Sequence, residues 1–360
     1  MTAEFTAEEA NVDTLYKCTP REVRTFVIDC IGAGLVPFIK SSPGMGKSSI
    51  IHSIAEEFLL HLIDERLSTR SPVDLSGLPD FRGEGVQRQA SWIPFDTYPV
   101  ASTPVPKGKD GWALFFDEFN SGQKAVQAAA YKIVLDRMVG LEKLHEKVAI
   151  ICAGNLETDR AITNPLSTAM QSRLVHIEME LHFGQWLEDV AIKSHYDSRV
   201  IAYLNYMPGR LMDFKPNHNN ATFCCPRTWE FVNRLALNNP GKDLASKVKL
   251  IAGTITPGVA VDFINFIEVF QNIPTYRQIL ADPDKMMIPS DPPTRWAVIS
   301  HLMEKVQSDD LDKVYDYVNR FPSDFRILFT RSLLIRHSAW RSRPEVIRGM
   351  SDLSRYLHAE

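Results

Sequence analysis

The stretch SSPGMGKSSI, at 41–50, has the glycine, lysine and serine spacing of a phosphate-binding loop, except that Ser41 stands where G-x-x-x-x-G-K-[ST] begins with glycine. Gly44 and Gly46 lack a Cβ and let the backbone come close to an anion. Ser42, Pro43, Gly44, Met45, Gly46, Lys47, Ser48 and Ser49 are therefore the expected phosphate contacts. Lys47 would reach the β- and γ-phosphates and Ser48 would bind Mg2+. The competing reading is an ordinary glycine turn that caps a helix.

Further along, ALFFDE ends an apolar run in two carboxylates. Asp117 is suited to hold Mg2+, and Glu118 to orient or deprotonate an attacking water. Alone, the pair could be an acidic turn at a sheet edge; its place downstream of the loop makes coincidence harder to accept. In VAIICAGN, Asn155 follows a second apolar run and could hydrogen-bond a γ-phosphate and a water, although asparagine after a strand is commonly a turn former. Arg173, in QSRLVHI, sits where a short helix meets a strand; it is either a solvated charge or a group that stabilises transition-state charge on a neighbouring subunit. In CCPRTWEF, Pro226 suits a first helical position and puts Arg227 in the first turn, where a cation opposes the helix dipole unless an anion is near.

These groups need elements to carry them. The periodicity predicts a helix over 20–33, a buried strand over 35–39 that runs into the loop, a helix over 47–60 and a strand over 60–66. The Pro- and Gly-rich tract 71–109, with Phe81, Trp92, Phe95 and Tyr98, is too long for a plain loop and predicts an inserted hairpin or functional loop. Strands follow at 112–116, 147–153 and 174–179, with an alanine-rich helix over 123–139. Strands alternating with helices predict a parallel α/β sheet with its ligand at the carboxyl ends of the strands. After about 183 the pattern is helical to the end.

The chain has 360 residues, 44% of them hydrophobic, enough for a substantial core. Its net charge of −4 gives no general basic excess to hold a nucleic-acid backbone. The five cysteines lack metal-ligand spacing, which predicts reduced thiols, a cytoplasmic setting and no structural zinc. No signal-peptide pattern and no membrane-spanning apolar run are present in the sequence.

In order, SSPGMGKS, LFFDE, AGN, the SR of QSRLVHI and the PR of CCPRTWEF resemble the motifs of AAA+ ATPases. PVDLSGLP, DEFNSGQKAVQAAAYKIVLDR and TITPGVAVDFINF are similar to the MoxR branch, whose members often accompany von Willebrand factor A (VWA) proteins. The resemblance implies an αβα parallel-sheet P-loop domain over 1–182 with an insertion at about 71–109, a helical lid over 183–240 and a helical C-terminal extension over 241–360. It also implies ATP and Mg2+ as ligands, a homo-oligomeric and hexameric ring, and chaperone-like remodelling of a protein partner with no membrane involved. By matching position, Lys47 and Ser48 would form Walker A, Asp117 and Glu118 Walker B, Asn155 sensor 1, Arg173 the arginine finger and Arg227 sensor 2; Arg160 is a second candidate for the finger. The tract 71–109 and a hairpin at 138–147 would face the pore or partner, with Phe81, Trp92 and Tyr98 able to grip it. A nucleic-acid motor or loader and a nucleotide-gated scaffold with little turnover are the competing functions.

Overall fold

Trp112 to Phe116 are buried without alternation, as expected for a strand covered on both faces. The computed structural model describes residues 17–82, 89–159, 163–270 and 272–353. It comprises two compact units, Met1–Leu181 and His182–Glu360.

In the first unit the chain runs β1 (Lys17–Cys18), α1 (Pro20–Gly32), β2 (Val36–Lys40), α2 (Lys47–Glu57), β3 (Leu60–Arg66), α3 (Pro72–Ser76), β4 (Leu78–Arg82) and β5 (Gln89–Ile93). It continues with β6 (Gly111–Asp117), α4 (Lys124–Asp136), β7 (Met138–Val139), β8 (Glu142–Lys143), β9 (Val148–Gly154), α5 (Thr168–Gln171) and β10 (Leu174–Met179). Six strands form a sheet in the order β1-β10-β2-β9-β6-β3, and every pairing in it is parallel. The predicted α/β class is present as an αβα sandwich. Ile39, Phe115, Ile151 and Ile177 pack on one face with Val23 and Val27 of α1 and Ile51 and Ile54 of α2. Phe38, Leu114, Phe116 and Ile150 pack on the other with Val126, Ala130 and Ile133 of α4. Alternate side chains of each strand thus feed two separate cores.

Local chemistry sets the boundaries. Thr19 opens α1 with a capping box: it accepts from the Glu22 N–H at 3.4 Å, and Glu22 Oε2 accepts from the Thr19 N–H at 2.7 Å. The second helix stops at Glu57 rather than near 60, because Leu59 takes a left-handed φ of 51° and Leu60 begins β3. The alanine-rich helix ends at Asp136 rather than 139: Arg137 turns at φ 52°, its Nη2 donates to Val148 O at 2.7 Å, and Met138–Val139 instead pairs with β8.

The tract 71–109 contains the expected hairpin, β4 antiparallel to β5 with Leu78 opposite Ile93 and Phe81 opposite Ala90. Gly77 turns into it at φ 89°, where a Cβ would lie 2.1 Å from Ile93 O. The β7–β8 hairpin packs against this tract. A Cβ on Gly140 would lie 2.8 Å from Ser76 O and 3.3 Å from Trp92 Cβ. Backbone bonds join Ala101 N–H to Lys143 O and His145 N–H to Pro99 O, both at 2.9 Å, around a bridge between Val100 and Leu144.

The second unit is helical among its described residues, apart from an isolated bridge between Asp213 and Cys224. Its longer helices include α8 (Pro226–Asn238), whose Trp229 packs edge-on against Phe263 at 5.6 Å. No helix among the described residues is long and apolar enough to cross a membrane.

Candidate functional site

The phosphate-loop residues leave the carboxyl end of β2, the acidic pair leaves β6, and Asn155 leaves β9, which lies between those two strands. Three adjacent parallel strands therefore deliver them to one edge of the sheet. Phe38 aligns with Cys152, and Phe116 aligns with the same residue. The Ser41 N–H also donates to Gly154 O at 3.4 Å, joining the start of the loop to the residue before Asn155.

Gly44 and Gly46 take φ of 78° and 94°, a region that side-chain-bearing residues avoid. A Cβ on Gly46 would meet nothing within 4 Å among the described residues, so these leave space open at the start of α2. No side chain among the described residues caps that helix, which leaves its N-terminal dipole available to an anion. Ser42, Pro43, Gly44 and Met45 are half-buried and Ser49 is exposed. Ser41 is fully buried and is not among the residues of positive φ, so serine meets no backbone strain at this position.

Lys47 is buried, and its Nζ donates to Ser41 O at 2.9 Å, Ser41 Oγ at 3.0 Å and Ser42 O at 3.4 Å. Ser48 Oγ donates to Asp117 Oδ2 at 3.0 Å, while Asp117 Oδ1 accepts from the Glu118 N–H at 2.8 Å. This brings together the two residues that the sequence assigned to Mg2+: a hydroxyl and a carboxylate, both hard oxygen donors of the kind Mg2+ prefers. Glu118 itself adopts a left-handed conformation, φ 53° and ψ 35°, costly for a residue with a Cβ. Its Oε2 accepts from Ser68 Oγ.

Asn155 is half-buried, and Asn120 brackets its backbone. Asn120 Nδ2 donates to Asn155 O at 2.8 Å, and the Asn155 N–H donates to Asn120 Oδ1 at 3.1 Å. The Asn155 side-chain amide has no hydrogen bond among the described residues. Asn120 is 3% exposed and abuts Gly154, where a Cβ would lie 2.3 Å from Asn120 Oδ1.

Arg173 is exposed at the junction of α5 and β10, with Nη1 donating to Ala169 O at 2.8 Å. Arg160 lies outside the described residues. Pro226 occupies the first turn of α8 as predicted, and Arg227 follows it, exposed, in the second unit. Among the aromatics assigned to gripping, Phe81 and Trp92 are 61% and 42% exposed, but Tyr98 is 3% exposed within the core under α4. Tyr98 is thus a packing residue, and burial pushes its phenol far above the ordinary value.

The sequence reading missed Ser68, Asn120 and the Ser41 hydroxyl. Ser68 follows β3, whose Arg66 lies beside Asp117, so the strand register brings it to Glu118. Periodicity carries no trace of that register.

Fold and site together define a parallel-sheet α/β protein of P-loop type. No protein-family model and no curated protein sequence matches the chain. Among solved structures it is similar to a "putative ATPase" from Cytophaga hutchinsonii, at 14% identity over 93% of this chain and 88% of that one, with a TM-score of 0.34. It is also similar to the RuvB Holliday junction branch migration motor of Thermotoga maritima, at 13% identity over 74% of this chain and 75% of that one, with a TM-score of 0.35.

Proposed function

We propose that this chain is a Mg2+-dependent ATPase of the AAA+ type, close to the MoxR branch, which forms a ring and uses hydrolysis to remodel a protein partner such as a VWA-domain protein. The observation that carries the reading is the meeting of Ser48 and Asp117, 3.0 Å apart, at the edge that also presents Lys47 and Glu118.

Gly44, Gly46 and the backbone N–H groups opening α2 bind the phosphates, with Lys47 placing positive charge against their oxygens. Ser48 and Asp117 would hold Mg2+, which when bound neutralises charge that develops on the transferring phosphoryl group. Glu118 accepts the proton of the attacking water, and Asn155 orients that water through its side-chain amide. Arg173 completes the neighbouring subunit's site, with Arg160 the alternative. The exposed Phe81 and Trp92 supply apolar contact to the partner.

Glu118→Gln is the test. The variant binds ATP, loses at least about a hundredfold in turnover and accumulates as rings in light scattering. Turnover near the wild-type rate would remove Glu118 from its role. Strong, salt-sensitive stimulation by DNA would instead make the chain a nucleic-acid motor.

A further inference from the structure

Ser41 departs from the phosphate-loop pattern, and its side chain is engaged where glycine would offer nothing. An ammonium has three N–H donors. Those of Lys47 face three acceptors, and Ser41 supplies two of them, its carbonyl at 2.9 Å and its hydroxyl at 3.0 Å. The third, Ser42 O, is the longest at 3.4 Å. With glycine at 41 the hydroxyl acceptor would be gone.

The hydroxyl is well placed to hold on. Ser41 is fully buried and Lys47 is 9% exposed, so water does not readily replace either partner. Ser41 Oγ spends its own proton on Ser42 O at 3.0 Å, which leaves its lone pairs turned to the lysine. Hydrogen bonds to a charged donor are about twice as strong as neutral ones, and a buried acceptor that loses its donor keeps the desolvation cost.

We infer that Ser41 is an internal competitor for the nucleotide: its hydroxyl occupies a Lys47 N–H that a phosphate oxygen would otherwise take, and so sets a weaker affinity than a glycine at the same position would give. This rests on the proposed reading of the loop as a nucleotide site. A phosphate oxygen that takes the N–H held by the Ser41 hydroxyl has to displace that hydroxyl, so the clasp weakens triphosphate and diphosphate binding together. Ser41 acts through Lys47 and is a positioning residue.

Titration of the full chain with a fluorescent adenine nucleotide tests the inference, comparing wild type with Ser41→Ala, Ser41→Gly and Lys47→Ala. Ser41→Ala and Ser41→Gly should both bind about tenfold more tightly, a change equivalent to ~1.4 kcal/mol. Mere damage to the loop cannot produce a gain. Without nucleotide, an amine-reactive ester should label Lys47 faster in Ser41→Ala than in wild type. If wild type binds, Lys47→Ala does not, and both Ser41 variants bind no more tightly than wild type, the clasp is refuted and the nucleotide site stands. Unchanged labelling of Lys47 also refutes the clasp. If no protein shows Lys47-dependent binding, the nucleotide reading falls and takes the clasp with it.

Discussion

Asn120 offers a way to move Asn155 without touching it. Its amide spans the Asn155 backbone, giving to the carbonyl at 2.8 Å and taking from the N–H at 3.1 Å. Asn120→Ala deletes both bonds. At a net worth of about 1 kcal/mol each, the segment after β9 loses about 2 kcal/mol of local stability. Asn120→Asp keeps the shape but turns an acceptor toward the Asn155 carbonyl in a nearly dry position, so it should cost at least as much at neutral pH. Two units need not unfold as one, so a single melting curve is a poor measure of this loss. Hydrogen exchange at the Asn155 amide is the direct one. Removing its acceptor, worth about 1 kcal/mol, should speed exchange roughly fivefold or more, while the amides of β6 stay protected. Turnover should fall with it, by about tenfold, because a water-orienting group tolerates little displacement. Faster exchange with unchanged turnover would refute the role given to Asn155; unchanged exchange would refute the bracket itself.

The remaining expectations concern the neighbouring tract. Glu65 is buried and salt-bridged to Arg70, and burial, opposed by that arginine, raises its pKa above the usual carboxylate value. With the folded pKa above the unfolded one, its contribution to stability is full below the unfolded value near 4.5 and declines as pH rises through the folded value. Glu65→Gln should therefore gain, in the melting temperature of the first unit's own transition, relative to wild type between about pH 4 and pH 7; a difference that is flat or shrinks across that range would contradict it. Gly77→Ala places a Cβ 2.1 Å from Ile93 O at a φ of 89°, so it should cost about 2–3 kcal/mol and expose the β4–β5 hairpin to protease, and an uncleaved hairpin would contradict that.

Much of the fold could be read from the sequence because the signals were local. The apolar run 112–116 marks a strand buried on both faces, and the glycines at 44 and 46 mark the two positive-φ turns that the loop requires. What stayed hidden was tertiary. β1 has two residues, too few to carry a pattern, and exists because β10 offers an edge. Ser68 reaches Glu118 across 50 positions, and Asn120 reaches Asn155 across 35; a serine and an asparagine near strand ends look like turn formers until strand order is known. Tyr98 misled for a related reason. It is an aromatic in a long tract, but that tract folds back on its own domain and buries it.

The seam between the tract 71–109 and the β7–β8 hairpin has an evolutionary consequence. Pro99 and Ala101 exchange backbone bonds with His145 and Lys143, and Gly140 admits Ser76 and Trp92 where a larger residue would not fit. These two stretches therefore form one heritable part. A graft that brings in a foreign 71–109 while keeping the resident 138–147 leaves backbone donors and acceptors facing strangers, and length changes in one should survive only when the other changes to match.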